Sequence, residues 1–186
     1  MARVLVPLAQ GFEEIEAVTV IDVMRRGGVE TVTASIDGGG VDVLAAHGVV
    51  MRADARFLDV ADENYDAIVL PGGGEGTARL REYGPLAERL ARQKAEGGLI
   101  CAICAAPTIL TDLELVDEDL HVTCYPSCAP DLDRRCANAP VVADGQFITG
   151  QAPGSAMLFA LVVLSALAGD RIARKVAAGL VTDVLD

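Results

Sequence analysis

Short apolar runs alternate with segments of helical periodicity along most of the chain. Residues 13–27 and 84–96 carry apolar positions at helical spacing, and in the first segment Arg25 and Arg26 precede the helix-stopping pair Gly27 and Gly28. Four apolar runs predict buried β-strands, over residues 2–8, 29–36, 65–74 and 97–103. Strand and helix in repetition predict an α/β fold with a mainly parallel sheet and helices on both faces.

The remaining segments are shorter strands and further helices. Short strands are predicted at 41–45, 48–53 and 121–126, and a hairpin over 139–150 turns at Asp144 and Gly145. Helices are predicted over residues 105–112, 153–169 and 170–181. Because no linker or change of composition divides the 186 residues, we expect a single domain over residues 1–186.

Composition and charge restrict the partners. Apolar residues make up 52% of the chain but aromatic residues only 4%, so aliphatic side chains must fill the core, as in a parallel sheet buried on both faces. The net charge of −12 repels nucleic acid and anionic lipid. The apolar run at 156–169 is shorter than the roughly 18 residues of a membrane span, and the start lacks a signal-peptide pattern. We expect a cytoplasmic protein without membrane or nucleic-acid partners.

Cys104 is the first candidate for chemistry. In open α/β sheets, ligands bind beyond the carboxyl ends of the strands, which here selects the loops at 9–13, 72–76 and 103–106. Ala102 and Ala106 flank Cys104 with the small side chains that a sharp strand-to-helix elbow requires, and Pro107 suits the first turn of a helix. Because free N–H groups at a helix start favour thiolate, Cys104 is interpreted as an activated nucleophile. The alternative is a small buried hydrophobe.

Glu16 and a glycine-rich loop are the other candidates. Glu16 shares a helical stripe with Val20 and Val23, so its carboxyl is expected to be buried, with a raised pKa. Such a group can donate a hydrogen bond to a thiolate or move protons, although a first-turn acid favoured by the helix dipole is the alternative. Residues 72–74 are all glycine and match no phosphate-binding motif. They are interpreted as N–H donors to an oxyanion, or as a tight turn.

The five cysteines raise the alternative of a zinc site. Cys101 and Cys104 are followed, after 19 residues, by Cys124 and Cys128, a spacing close to that of a zinc ribbon. The first pair lies inside an apolar run and the second has one residue too many between its cysteines. We therefore expect no metal and predict thiols rather than disulfides.

Five segments together resemble the ThiJ/PfpI superfamily, in the branch of the Parkinson-disease protein deglycase and its YajL-type relatives. They are GFEEIEAVTVIDVMRRGG, YDAIVLPGGGEGTARL, GLICAICAAPTIL, VTCYPS and GQAPGSAMLFAL. The resemblance covers essentially the whole chain and implies a flavodoxin-like three-layer sandwich and a homodimer. It also implies a cofactor-free glyoxalase or deglycase acting on a small dicarbonyl such as methylglyoxal, on glyoxal-derived adducts, or on glycated protein or nucleotide. The alternative is a redox sensor or redox-regulated chaperone of the oxidative-stress response.

By motif position, the resemblance assigns the roles of the candidate residues. Cys104 is the oxidation-sensitive nucleophile, Glu16 is its acid partner, and the backbone N–H groups of Gly73 and Ala105 are the oxyanion donors. Gly72 is expected beside them.

Several neighbouring positions depart from the family pattern or stay open. Tyr125 replaces a histidine found in several members, which argues against peptidase activity and leaves Glu16 or Tyr125 as the base. His47 stands where some members have an arginine over the site. Pro153 is expected nearby, and Cys124 is a candidate second thiol at the pocket.

Overall fold

A seven-stranded sheet organises the chain within residues 1–117 and 119–184, which the computed structural model describes. The strands are β1 (Arg3–Leu8), β2 (Glu30–Ser35), β3 (Asp42–Leu44), β4 (Val50–Arg52), β5 (Ala55–Arg56), β6 (Ala67–Leu70), β7 (Leu99–Ile103), β8 (Val141–Asp144) and β9 (Phe147–Gly150). The order across the sheet is β5-β2-β1-β6-β7-β9-β8, and every neighbouring pair is parallel except β8 and β9. Strands β3 and β4 form a separate antiparallel ribbon.

Helices cover both faces of the sheet. They are α1 (Glu14–Arg26), α2 (Phe57–Val60), α3 (Gly74–Glu82), α4 (Gly84–Ala95), α5 (Pro107–Asp112), α6 (Ala156–Ala168) and α7 (Asp170–Gly179). Residues of α1, α6 and α7 share one core with one face of the sheet, and residues of α3, α4 and α5 share another core with the opposite face. The chain therefore has the flavodoxin-like three-layer α/β fold that the sequence predicts.

Alternation along the strands builds the two cores. In β1, Val4 and Val6 point into the core beneath α1, whereas Leu5 points into the core on the other face, and all three are fully buried. Because both faces of the central strands are covered, these strands appear in the sequence as continuous apolar runs.

The structure differs from the sequence prediction after β6. The strand predicted over 65–74 ends at Leu70, and α3, which the sequence analysis did not predict, begins at Gly74. Glycine has a low helix propensity, so Gly74 and Gly76 make this segment look like a loop in the sequence. Packing accounts for Gly76, since a Cβ there would lie 2.7 Å from the Cα of Phe12.

Two further segments differ near the elbow. The strand predicted over 121–126 is only an isolated bridge between Val122 and Cys136, followed by a 3-10 helix at Pro126–Arg135. The helix predicted to begin at residue 105 begins at Pro107, after a turn. Among the helices within the described residues, none is long and apolar enough to cross a membrane.

Arg89 in α4 carries a poorly compensated buried charge. The residue is 2% exposed, and its three guanidinium nitrogens have no hydrogen-bond partner within the described part of the chain. The Glu96 carboxylate lies 4.0 Å from Nη1, and the guanidinium lies 5.7 Å from the Tyr65 ring centroid. Burial, followed by the nearby charge of Arg92, lowers the pKa of Arg89.

Replacing Arg89 with methionine should stabilise the fold. Methionine fills similar space without the cost of burying a charge, so the free energy of unfolding in urea should rise by about 1–3 kcal/mol. Arg79→Met is the control, because Arg79 forms an exposed pair with Glu75 and its loss should change stability by less than about 1 kcal/mol. A less stable Arg89→Met protein would contradict this prediction, because it would show that the surroundings offset the cost of burying the charge of Arg89.

Candidate active site

Cys104 occupies a sharp bend between β7 and α5. Its φ is +66°, a left-handed conformation that is uncommon for a residue with a side chain. Its N–H donates to the carbonyl of Gly150 at the end of β9 (2.9 Å), and its carbonyl accepts from the N–H of Tyr125 (2.7 Å). Ala102 and Ala106 are fully buried on either side. Hydrogen bonds to two distant segments thus hold the elbow that the sequence predicts.

Glu16 lies in the first turn of α1, with its side chain fully buried. Its Oε2 accepts a 2.7 Å hydrogen bond from the N–H of Gly72, and its carboxyl interacts with the Cys104 thiol. Oε1 has no well-formed hydrogen bond among the described residues. Glu13 caps the helix, since its carboxylate accepts from the N–H of Glu16 (2.8 Å). The buried face of α1 that the sequence predicts therefore places Glu16 next to the elbow.

The carboxyl and the thiol perturb each other. Burial raises the pKa of Glu16 to about 7, against the opposing hydrogen bond from Gly72. Burial, and next the charge of Glu16, raise the pKa of Cys104 to about 12, although hydrogen bonds from the N–H groups of Gly73 and Ala105 act in the opposite direction. Two such groups titrate as a pair, so at pH values between these two pKa values the pair carries one negative charge and one proton.

The expectation of a lowered thiol pKa is therefore wrong, first because the sulfur is buried and next because Glu16 carries a charge beside it. The helix that follows Cys104 has only six residues, and the buried carboxylate beside the sulfur opposes a second negative charge. Thiolate forms readily only when the proton moves to Glu16.

Bare backbone forms the wall of the site at Gly72 and Gly73. A Cβ on Gly72 would lie 2.6 Å from the Cβ of Cys104 and 2.8 Å from Oε2 of Glu16. Gly73 has φ of +90°, and a Cβ there would lie 2.3 Å from the carbonyl oxygen of Gly11. Both positions therefore require glycine, and this leaves their N–H groups free to face the carboxyl and the sulfur.

The other expected residues make contacts of their own around the elbow and the start of α1. Tyr125 contacts the elbow through its backbone N–H, and the residue as a whole is 44% exposed. Nδ1 of His47 lies 3.0 Å from Oε2 of Glu14, at the start of α1. Pro153 begins a single 3-10 turn between β9 and α6, three residues after Gly150.

The expectation that Cys124 faces the pocket is wrong. Cys124 packs in the core on the sheet face opposite to the core that contains Cys104, and its Sγ lies 3.6 Å from Sγ of Cys136. Cys101 is fully buried in the same core as Cys104. The four cysteines of the zinc-ribbon alternative thus lie on different faces of the sheet.

Sequence reasoning missed two contributions to the site. The Gly150 carbonyl lies at the end of β9, which is adjacent to β7 only in the folded sheet. Its contact with Cys104 could therefore not be predicted from the local sequence. Glu13 caps the helix, and its charge also raises the pKa of Glu16. Its position three residues before Glu16 is the capping spacing that could have revealed it.

A different set of side chains has the arrangement of metal ligands. One ligand atom from each of Glu13, Glu14 and His47 lies within 4.8 Å of the others. Hydrogen bonding to Glu14 raises the pKa of His47. Burial acts to raise the pKa of Glu14, but the hydrogen bonds, chiefly the one from His47, lower it overall. The carboxylates already serve as helix cap and histidine partner, which accounts for their position.

Comparison with known proteins identifies the family to which this fold and elbow belong. The DJ-1/PfpI family profile matches residues 2–166. The chain belongs to the DJ-1/PfpI family. Among its DJ-1 relatives, protein dj-1beta of Drosophila melanogaster is 38% identical over 179 residues, which cover 95% of each chain. The structure of oxidized Toxoplasma gondii DJ-1 superposes with a TM-score of 0.95 at 36% identity, covering 98% of this chain and 99% of that one.

Other DJ-1 relatives differ in length or name. Protein DJ-1 homolog B of Arabidopsis thaliana is 37% identical over 187 residues, and the match covers 96% of this chain but only 41% of the plant protein. The Caenorhabditis elegans relative named glutathione-independent glyoxalase DJR-1.2 is 34% identical over 172 residues, covering 90% of this chain and 89% of that protein.

The buried carboxyl predicts a pH-dependent gain from Glu16→Gln. The folded state raises the pKa of Glu16 from 4.5 to about 7 and so holds its proton more tightly than the unfolded state does. The free energy of unfolding of the protein therefore falls as the pH rises through that interval. The substitution should therefore stabilise the protein at pH 8 by on the order of 2 kcal/mol, and much less at pH 5. Chemical denaturation at both pH values measures this, with exposed Glu82→Gln as the control. An equal effect at both pH values would contradict a raised pKa.

Proposed function

We propose that this DJ-1 relative is a cofactor-free glyoxalase that converts small 2-oxoaldehydes such as methylglyoxal into 2-hydroxy acids. The observation that carries the proposal is the buried Glu16 carboxyl in contact with the Cys104 thiol, with the N–H groups of Gly73 and Ala105 directed at the same sulfur. The glyoxalase name of the Caenorhabditis elegans relative supports the same chemistry.

The first step uses the proton that the pair shares. The thiol proton of Cys104 moves to Glu16, and the thiolate attacks the aldehyde carbon to form a hemithioacetal. A pKa near 7 suits Glu16 to accept this proton and release it again at neutral pH. The N–H groups of Gly73 and Ala105 can stabilise the alkoxide oxygen that develops beside the sulfur.

The second step is an internal redox reaction within the substrate. Glu16 first gives the thiol proton to the alkoxide, and the resulting carboxylate removes the proton from the former aldehyde carbon to leave an enediolate. Glu16 then returns that proton to the adjacent carbon, while the proton of the first hydroxyl moves to the oxygen of the adjacent carbon. This oxidises the first carbon and reduces the second, and gives a thioester of the hydroxy acid on Cys104. Water then cleaves the thioester and restores the thiol. Because the oxidation and the reduction cancel, the reaction requires no external electron carrier.

The geometry favours a small substrate over a glycated macromolecule. Cys104 is 9% exposed, and Glu16 is fully buried behind it. A small free dicarbonyl can reach a sulfur that is so little exposed more easily than a side chain of a folded protein can. Deglycase activity would use the same nucleophile and is the secondary expectation.

Removal of either group should abolish efficient turnover. Cys104→Ser and Glu16→Gln should each lower kcat/KM for methylglyoxal by at least about 10²-fold, the scale of a general acid-base group. Wild-type kcat/KM should rise with pH through about 7, as Glu16 gains the charge that lets it accept the thiol proton. Lactate formation across pH measures both effects. Cys128→Ser is the matched control, because Cys128 is partly exposed and packs in the core on the other face.

The same experiment separates the enzyme from a redox sensor. The structure of a Toxoplasma gondii relative described as oxidized favours the sensor as the second candidate. In that case Cys104 is oxidised to sulfinate beside Glu16, and turnover is incidental. A few turnovers followed by inactivation, or unchanged lactate formation by Cys104→Ser, would contradict the glyoxalase proposal.

We also propose that a second copy of the chain covers an apolar patch beside the site. The patch comprises exposed residues of α1 and the β3–β4 ribbon, namely Ile15, Val18, Leu44, Val49 and Val50. Hydrogen bonds from Gly11 N–H to the Leu44 carbonyl and from Ala46 N–H to the Phe12 carbonyl, both 2.8 Å, join the ribbon to the loop before α1. Exposed apolar residues on two adjoining elements are typical of an interface.

A charge in this patch should prevent association. Val50→Asp should convert a dimer into a monomer in size-exclusion chromatography with light scattering, because burial of an unpaired carboxylate is costly. Leu58→Asp is the control, since Leu58 is 68% exposed on α2, outside the patch. A wild-type monomer at micromolar concentration, or a dimer that persists in Val50→Asp, would contradict the proposal.

A further inference from the structure

A second group of thiols lies on the opposite face of the sheet from the core that contains Cys104. Sγ of Cys124 and Sγ of Cys136 are 3.6 Å apart, and Cys128 packs against the same core. Cys124 is 1% exposed, whereas Cys128 and Cys136 are partly exposed. The proposed reaction at Cys104 uses none of these three sulfurs.

The backbone holds Cys124 and Cys136 at this separation. Val122 and Cys136 form a parallel bridge, and the N–H of Ala137 donates to the Val122 carbonyl (2.7 Å). On the next residue along, Oγ1 of Thr123 donates to the Ala139 carbonyl (2.7 Å). These hydrogen bonds hold the segment at 122–124 against the segment at 136–139. The two sulfurs are therefore close because the backbone is fixed there, and not because one flexible side chain happens to approach the other.

We propose that Cys124 and Cys136 form an intramolecular disulfide when a hydroperoxide oxidises the protein. The partly exposed Cys136 is the sulfur that peroxide reaches, and its thiolate takes one oxygen to give a sulfenic acid while the peroxide leaves as an alcohol or water. Cys124 then attacks that sulfur and expels water. In total, two thiols and one hydroperoxide give one disulfide, one alcohol or water from the peroxide, and one further water.

Burial and distance assign these roles. Burial, followed by the hydrogen bond with Cys136, raises the pKa of Cys124, so Cys124 is poorly suited to react with peroxide first. Formation of the bond requires the sulfurs to approach by roughly 1.5 Å, to the usual length of about 2.05 Å. Side-chain rotation at two neighbouring residues can supply a movement of this size without separating the backbone segments.

The test uses the full chain, with and without Cys104→Ser to remove the other reactive thiol. After treatment with hydrogen peroxide, free thiols are blocked and the protein is digested with trypsin. The sequence predicts that Cys124 lies in peptide 95–134 and Cys136 in peptide 136–171. A disulfide should join these two peptides, consume two thiols per chain and be reversed by dithiothreitol. Non-reducing electrophoresis should show that the bond lies within one chain.

Cysteine variants assign the bond to particular sulfurs. Cys128→Ser should retain the linked peptides, whereas Cys136→Ser and Cys124→Ala should each lose them. Cys136 is partly exposed, so Cys136→Ser is informative even if the buried substitution at Cys124 impairs folding. Linkage that requires Cys128, a bond between chains, or sulfinate on Cys136 without linked peptides would each overturn the proposal. Because linkage is scored in Cys104→Ser, its failure is independent of any glyoxalase result.

Discussion

The arrangement of this site depends on one constraint, which is that two acidic groups in a poorly solvated space cannot both be ionised. Glu16 and Cys104 are buried against each other, and each raises the cost of a negative charge on its neighbour. The surrounding N–H groups of Gly72, Gly73 and Ala105 stabilise a single charge, on either the carboxyl or the sulfur. The structure therefore prepares a proton transfer between the two groups rather than a permanently ionised thiol.

Three cysteines show how strongly the environment determines the chemistry of a thiol. Cys101 and Cys104 are three residues apart, yet burial within β7 raises the pKa of Cys101 with no carboxyl partner, whereas Cys104 stands beside one. Cys124 has a sulfur as its neighbour instead of a carboxyl. The elbow and this thiol pair meet in the backbone, because Tyr125, the residue after Cys124, donates its N–H to the Cys104 carbonyl.

The features that could be predicted from the sequence are those that depend on the pattern of neighbouring residues. Apolar runs and helical stripes predict the layered fold and the burial of Glu16, and the small residues around Cys104 predict the elbow. The sequence does not predict α3, because glycines needed for close packing look like a loop. It also gives the thiol pKa the wrong direction, since that depends first on burial of the sulfur in the folded chain and next on the charge of Glu16, a residue 88 positions away.

The acidic start of α1 bears on what happens after catalysis. Under the proposed reaction an uncharged aldehyde enters, and a carboxylate is produced beside Glu16, with Glu13 and Glu14 preceding it in the chain. Like charges repel more strongly in a poorly hydrated pocket than in water. Once the hydroxy acid has lost its proton, Glu16 in its ionised form drives it outward, so the group that carries the proton also promotes product release and limits inhibition by the accumulated acid.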